Sequence, residues 1–133
     1  MTMCHNIEIA INIVSKDDNL ELKEINEMAL GAFSGFQKGD KFKSKSGMLS
    51  RQWSTWTQTV FIADRNEYEK VAIKFANTLI EYGAPISRLK TRSSARVFIR
   101  ISIDTEFIGS IELCHFFQLV QMEIIDDIIF TVC

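Results

Sequence analysis

Two Cys-His dipeptides, Cys4-His5 and Cys114-His115, have the side chains of this sequence best suited to bind a metal. Zinc ligands are usually two to four residues apart, so that both side chains reach one ion. Adjacent residues of a strand point to opposite faces, which prevents either dipeptide from forming a site by itself. A composite site with one ligand from each pair stays geometrically possible. The sequence favours two thiols beside surface histidines, and we expect no metal and no cofactor.

Motifs for covalent or phosphate chemistry are missing from the sequence. It has no G-x-S-x-G elbow and no glycine-rich phosphate loop. Asp126 and Asp127 lie in an apolar segment, where a carboxylate at a strand end could act as a general acid. A capping or solvated carboxylate is the commoner role of such a residue. We therefore expect that the protein is not an enzyme.

Arg96, Phe98 and Arg100 alternate along one predicted strand, so one ring lies between two guanidinium groups on the same face. An open sheet with such a face can stack a base and contact phosphates. The glycine-aromatic signature of RNA-binding sheets is absent, and the sequence pI of about 5.7 is acidic for that class. Cross-strand pairing of an arginine with Glu8 is the structural alternative, at about 1 kcal/mol per pair or less. Nucleic-acid binding by an open sheet face is therefore kept as the alternative function.

Charge is distributed unevenly along the chain. Residues 35–100 carry thirteen Lys and Arg against five acids, whereas residues 101–133 carry six acids and no Lys or Arg. Residues 1–34 are also acidic, with six acids against two Lys. The ends and the middle either form separate faces that steer charged partners or neutralise each other in the fold. The sequence leaves both arrangements open.

Hydrophobic periodicity predicts the elements that position these residues. We expect strands at 7–14, 51–63, 96–104 and 124–132, a basic strand or loop at 36–47, and helices at 22–32, 68–82 and 116–120. Gly31 and Gly35 are expected to end the first helix, and Gly83 with Pro85 the second. This order predicts one α+β domain over residues 1–133, a ferredoxin-like sandwich. Two main helices would cover one face of a mostly antiparallel sheet and leave the other face open.

Composition excludes several classes of protein. Hydrophobic residues make up 47% and charged residues 24% of the 133, which is ordinary for a folded domain. The longest run without a charged residue is 12 residues, Gln52 to Ala63, against about 20 for a membrane-spanning helix. The first residues lack a basic head and an apolar run, and the three cysteines are odd in number and widely spaced. We expect a cytoplasmic protein with reduced thiols and no membrane contact.

Short motifs follow one another in a recognisable order. They are the alternating strand Ile7–Val14, the Leu/Glu-rich segment Leu22–Leu30, the turn Lys38-Gly39-Asp40, Trp53 or Trp56, the long helix Tyr68–Tyr82, the strand Val97–Ile103, the apolar segment Phe116–Val120 and Asp127 within Ile124–Val132. In this order the chain resembles a family of small bacterial domains of unknown function. The resemblance implies, by analogy, an immunity protein of polymorphic-toxin or contact-dependent inhibition systems. It implies no catalytic residue.

An inhibitor of a toxin nuclease needs acids that face a basic nuclease surface and a few aromatic or arginine anchors. We expect the toxin-binding residues to be Glu21, Glu24, Glu27, Trp56, Phe98, Arg100, Glu123 and Asp126. Trp53 and Trp56 are three residues apart in a strand, so only one of them can face outward. The expected function is that of a cytoplasmic, non-enzymatic immunity protein that binds and blocks a cognate toxin domain. The toxin domain is expected to be a nuclease.

Overall fold

The structure is a computed structural model that describes residues 7–16, 22, 25–104 and 111–132. Its elements are β1 (Ile7–Ser15), β2 (Ala32–Phe36), β3 (Lys41–Ser44), β4 (Gly47–Ser50), β5 (Ser54–Ile62), α1 (Tyr68–Glu81), α2 (Gly83–Ser93), β6 (Arg96–Ile103), α3 (Cys114–Gln121) and β7 (Asp127–Val132). Five strands form the main sheet in the order β2-β5-β1-β6-β7, and β3 pairs with β4 in a separate hairpin.

The sheet is built around β1, whose isoleucines favour extended backbone. β1 pairs antiparallel with β5 and with β6, so that Ile7 lies opposite both Ile62 and Ile103. β2 pairs antiparallel with the other side of β5. β7 pairs parallel with β6, because α3 lies between the two strands along the chain. The predicted α+β class with a mostly antiparallel sheet is confirmed.

The core lies between one face of the sheet and the helices. Ile7, Ile9, Ile11 and Ile13 are fully buried on that face. All three helices contribute buried side chains to the same cluster: Tyr68, Ala72, Phe75, Ala76, Leu79, Ile86, Leu89, Phe116 and Leu119. The rings of Phe75 and Phe116 meet edge to face at 6.3 Å between centroids, which ties α1 to α3. The helices therefore lie on one side of the sheet, as predicted.

The predicted first helix is wrong where the structure describes it. Residues 25–30 form turns, in which Ile25 N–H donates to the carbonyl of Leu22 and Met28 N–H to that of Ile25. The buried amide of Gln58 accepts from Leu30 N–H at 2.6 Å and donates to the Met28 carbonyl at 2.6 Å. These contacts satisfy the backbone without a helix, while Ile25 and Met28 still reach the core.

α1 ends at Glu81, just before Gly83, as predicted, but Gly83 and Pro85 then lie in a further helix that the sequence analysis did not predict. α2 begins at Gly83 directly after a break at Tyr82, and it ends at Ser94 in the left-handed conformation. Pro85 lies in the first turn of α2, where a backbone N–H has no partner within the helix.

The order of the described elements departs from the β-α-β-β-α-β order of a ferredoxin-like sandwich. None of the helices in the described part of the chain is long and apolar enough to cross a membrane.

Candidate functional site: the open sheet face

We call the side of the main sheet opposite the helices the open face. Alternation and register place on it Glu8, Ala10, Asn12 and Val14 of β1, Thr55, Thr57, Thr59 and Phe61 of β5, Arg96, Phe98, Arg100 and Ser102 of β6, and Asp127, Ile129 and Thr131 of β7. All of the described helices lie on the other side. The open face is therefore a polar, threonine-rich surface with a few large side chains.

Asn12 lies at the centre of the open face. Its Oδ1 accepts a hydrogen bond from the Thr57 hydroxyl at 3.0 Å, while its Nδ2 has no partner among the described residues. Asn12 is only 8% exposed, and it lies in register between Thr57 of β5 and Phe98 of β6. A buried amide with one unsatisfied end costs about 1–3 kcal/mol, so packing alone does not explain an asparagine at this position.

Phe98 and Arg100, two of the expected binding residues, lie together on the open face. Phe98 is half-buried between Asn12 of β1 and Asp127 of β7, and Arg100 is half-buried beside Ala10. Arg96 is exposed two residues before Phe98. The arrangement of one ring between two guanidinium groups, expected from alternation, is thus present on the uncovered side.

The open face has opposite charges at its two ends. Lys16, which follows β1, and Arg96, which lies beside Val14 in the register, are at one end. Arg51, which precedes β5, is at the same end, since it borders a cleft that Val14 and Thr55 also line. We call this the basic end. Glu8 lies at the other end, opposite Ser102. The face therefore has three cations at one end, with Asp127 beside Phe98 and Glu8 at the far end, and this distribution orients a charged partner on approach.

Trp56 is placed in the core, which corrects its expected role as an interface anchor. Its side chain is 1% exposed on the helix side of the sheet, with the Phe33 ring 6.0 Å away between centroids. Alternation from Ile13, its partner in β1, fixes this orientation. Trp53 is the outward residue of the pair, at 42% exposed, as the three-residue spacing predicted for one of the two.

The expected acidic contacts do not converge. Glu21 and Glu24 lie outside the described residues. Glu27 is exposed in the turns before β2, and Glu123 is exposed at the turn between α3 and β7. Neither Glu27 nor Glu123 lies on β6, the strand that carries Phe98 and Arg100. Glu27 and Glu123 are therefore separated from the two candidate anchors, whereas Asp126 and Asp127 lie at the start of β7 beside Phe98.

Sequence analysis missed Arg51 and Lys16, which lie at the basic end. The sequence predicts a basic edge from the mixture of Lys and Phe over residues 36–47, but this segment contains neither Arg51 nor Lys16. Periodicity within one strand does not reveal which other strand a hairpin lies beside. The sequence therefore does not predict that Arg51 and Lys16 lie close together.

Comparison with known proteins assigns no family to the chain. No protein-family model, curated protein or solved structure matches it. The chemistry of the open face and the resemblance in short motifs are therefore the two grounds for a functional proposal.

Asp126 holds the start of β7 in place. Its Oδ1 lies 2.7 Å from Lys90 Nζ of α2, and its Oδ2 accepts from Val97 N–H of β6 at 2.8 Å. Burial alone raises the pKa of Asp126, but hydrogen bonds from Lys90 and Val97 and the charges of Lys90 and Arg96 outweigh it, and the pKa lies below its usual value. Asp126 is thus engaged within the fold instead of being free for a partner.

Asp126→Asn is expected to lower the free energy of unfolding at neutral pH by about 1 kcal/mol, since the pair is partly exposed and screened by solvent. A carboxylate whose pKa is depressed by folding stabilises the fold above its unfolded-state pKa, and this contribution disappears as pH falls through the folded-state pKa. Urea unfolding across pH should therefore show the two proteins converging in acid.

Asp127→Asn is the matched control, because Asp127 Oδ1 accepts from the N–H of the next residue and Asp127 is exposed. We expect it to change stability by about 0.5 kcal/mol or less. Equal losses in the two variants, or a loss in Asp126→Asn that persists in acid, would contradict the structural role of Asp126.

Cys114 and His115 show no metal-binding arrangement, and their proposed partners Cys4 and His5 lie outside the described residues. Cys114 is exposed, with its Sγ 3.9 Å from Glu112 Oε2. Within the ranges that the structure describes, no three His, Cys, Asp or Glu side chains are grouped so that they could hold a metal ion.

Proposed function

We propose that the protein is a non-catalytic inhibitor that binds a cognate bacterial toxin domain through its open face. The single observation that carries the proposal is the uncovered sheet face on which Phe98 lies between Arg96 and Arg100. Aromatic and arginine side chains surrounded by small polar residues are typical of the centre of a protein interface. The resemblance in short motifs supports the toxin as the class of partner.

The positions of the charged residues on the open face indicate which surface charge the partner should have. Arg96, Arg51 and Lys16 lie at the basic end, whereas Glu8 lies at the other end and one acid, Asp127, lies beside Phe98. A partner that docks on the open face therefore gains from an acidic surface opposite the basic end. A nuclease as the toxin rests on the resemblance alone, and this face favours contact outside the basic active site of such an enzyme.

The proposal predicts a tight 1:1 complex with a toxin domain encoded directly upstream of this gene. Co-expression should restore the growth that the toxin domain abolishes. The double variant Phe98→Ala with Arg100→Glu should weaken the complex by about 30-fold or more, because loss of a central anchor typically costs at least 2 kcal/mol. Calorimetric titration of the purified toxin domain measures the change.

Lys74→Glu is the control, because it makes the same charge reversal on the exposed side of α1, behind the sheet. It should leave the affinity within about twofold. Absence of a complex with the adjacent gene product, or turnover of a substrate by the purified protein alone, contradicts the proposal.

Nucleic-acid binding is the second candidate, and the same Arg96-Phe98-Arg100 row favours it. Phe98 is half-buried, and the accessible part of a ring that lies between cations can stack a base of a single strand. Affinity for a short oligothymidylate should then fall linearly with salt on logarithmic axes. A toxin complex depends less steeply on salt, because it combines apolar contacts with a few ion pairs and releases no condensed counterions from a phosphate backbone, and the two candidates are thereby distinguished.

A further inference from the structure

A cleft of about 390 Å³ opens at the basic end, between the β3–β4 hairpin and the sheet. It is lined by Val14, Phe36, Phe42, Ser50, Arg51, Gln52, Trp53 and Thr55. The volume is within the range of about 300–1,000 Å³ that is usual for ligand sites. Its walls are aromatic and aliphatic, and one cation lines it.

Arg51 is held in place by the rings of this cleft. Its guanidinium carbon lies 4.1 Å from the centroid of Phe36 and 4.0 Å from that of Phe42. Its backbone continues the hairpin, since Arg51 N–H donates to the Asp40 carbonyl and the Arg51 carbonyl accepts from Gly39 N–H. Because the two rings lie against the planar guanidinium group, the N–H groups at its edge stay available as hydrogen-bond donors. The described residues place no carboxylate in ion-pair contact with it, so these N–H groups can pair with a carboxylate of a ligand.

A second positive charge borders the cleft. Lys16 Nζ lies 4.7 Å above the centre of the Trp53 ring, which forms one wall. Trp53 itself is 42% exposed, so an occupant can contact the indole directly. An occupant of this cleft therefore meets apolar walls beside two cations, Arg51 and Lys16.

We propose that the cleft binds an extended acidic segment of a partner protein, inserting one large apolar side chain between Phe36, Phe42 and Trp53. Carboxylates on either side of that side chain pair with Arg51 and Lys16. Charge complementarity and the apolar lining together select this occupant. The proposal specifies one contact of the proposed toxin complex and rests on that function for the identity of the partner, but its peptide test does not require the toxin.

The two tryptophans supply the measurement. Trp53 lines the cleft, whereas Trp56 is 1% exposed in the core, so a ligand in the cleft changes the emission of Trp53 alone. The probe is a capped hexapeptide with Leu-Phe at its centre and two Glu on each side. We expect a saturable change in emission, and at least about tenfold weaker binding of the same peptide with Lys for Glu, or with Gly-Gly for Leu-Phe.

Variants of Arg51 test the role of its charge. Arg51→Gln should weaken the acidic peptide by about tenfold, and Arg51→Glu should reverse the preference, so that the Lys peptide binds better than the Glu peptide. The reversal itself shows that the variant is folded. Trp53→Phe removes the emission change, while calorimetry still detects binding of the acidic peptide.

Several outcomes overturn the proposal. They are the absence of an emission change with the acidic peptide, equal binding of the Glu and Lys peptides, and tighter binding of a short oligothymidylate that Arg51→Gln abolishes. A toxin complex that forms while the peptides fail retains the proposed function and rejects the cleft as its contact. Peptide binding without a toxin complex supports the cleft and rejects the toxin.

Discussion

Replacing Trp56 by alanine should lower the free energy of unfolding by about 4 kcal/mol, the usual cost of emptying the site of a large buried aromatic residue. The indole is 1% exposed, lies in register with Ile13 and Gly35, and contacts the Phe33 ring. The surrounding backbone belongs to two paired strands and has little freedom to close the cavity. Urea unfolding followed by far-UV circular dichroism measures the loss.

Trp53→Ala is the matched control, since the same side chain is removed three residues earlier at an exposed position. Its cost should stay below about 1 kcal/mol, while the emission response to the acidic peptide disappears. Similar losses of stability in the two variants would show that the indoles are not on opposite sides of the sheet. The two Trp→Ala variants thus distinguish a side chain of the core from a side chain of the cleft with the same substitution.

Gly31→Ala should lower the free energy of unfolding by about 3 kcal/mol, at the upper end of the usual cost of overpacking. A Cβ at Gly31 would lie 2.1 Å from the carbonyl oxygen of Thr59 and 2.6 Å from its carbonyl carbon. Both atoms are backbone of β5, so the chain before β2 has to move away. The displacement also breaks the hydrogen bond from Leu30 N–H to Gln58.

Ser34→Ala is the control for this edge strand. Ser34 is exposed in β2 and pairs with Thr57, and its substitution leaves the backbone contact with β5 intact. We expect a change of about 0.5 kcal/mol or less by the same urea unfolding measurement. If Gly31→Ala is as stable as Ser34→Ala, then the close approach of the chain to Thr59 is incorrect.

Much of the fold follows from periodicity that a single element carries. The alternating isoleucines of β1 and the spacing of Tyr68, Ala72, Phe75 and Leu79 in α1 need no distant residue to be interpreted. Residues 25–30 contradict their helical spacing because Gln58 of β5 supplies hydrogen bonds that sequence proximity does not reveal. Likewise, Pro85 is compatible with a helix only because the chain breaks at Tyr82 and starts α2 anew.

The candidate site could be predicted only where it lies on one strand. Phe98 and Arg100 share a face by alternation, and both are on the open face. Arg51 and Lys16 join them through the pairing of β1 with β5 and the return of the hairpin, which depend on contacts between distant residues. Alternation predicts that Trp53 and Trp56 have opposite orientations, but it does not determine which of the two is buried.

The central position of β1 has a consequence for biosynthesis. β1 precedes all the other strands in the chain, but its two neighbours β5 and β6 are translated much later. During this interval the nascent strand exposes a row of isoleucines and unpaired backbone groups on both edges, a state prone to wrong association. Pairing between such distant segments is also slow. We therefore expect the native sheet to assemble only after β6 has left the ribosome, and a chain truncated before Arg96 to aggregate instead of folding.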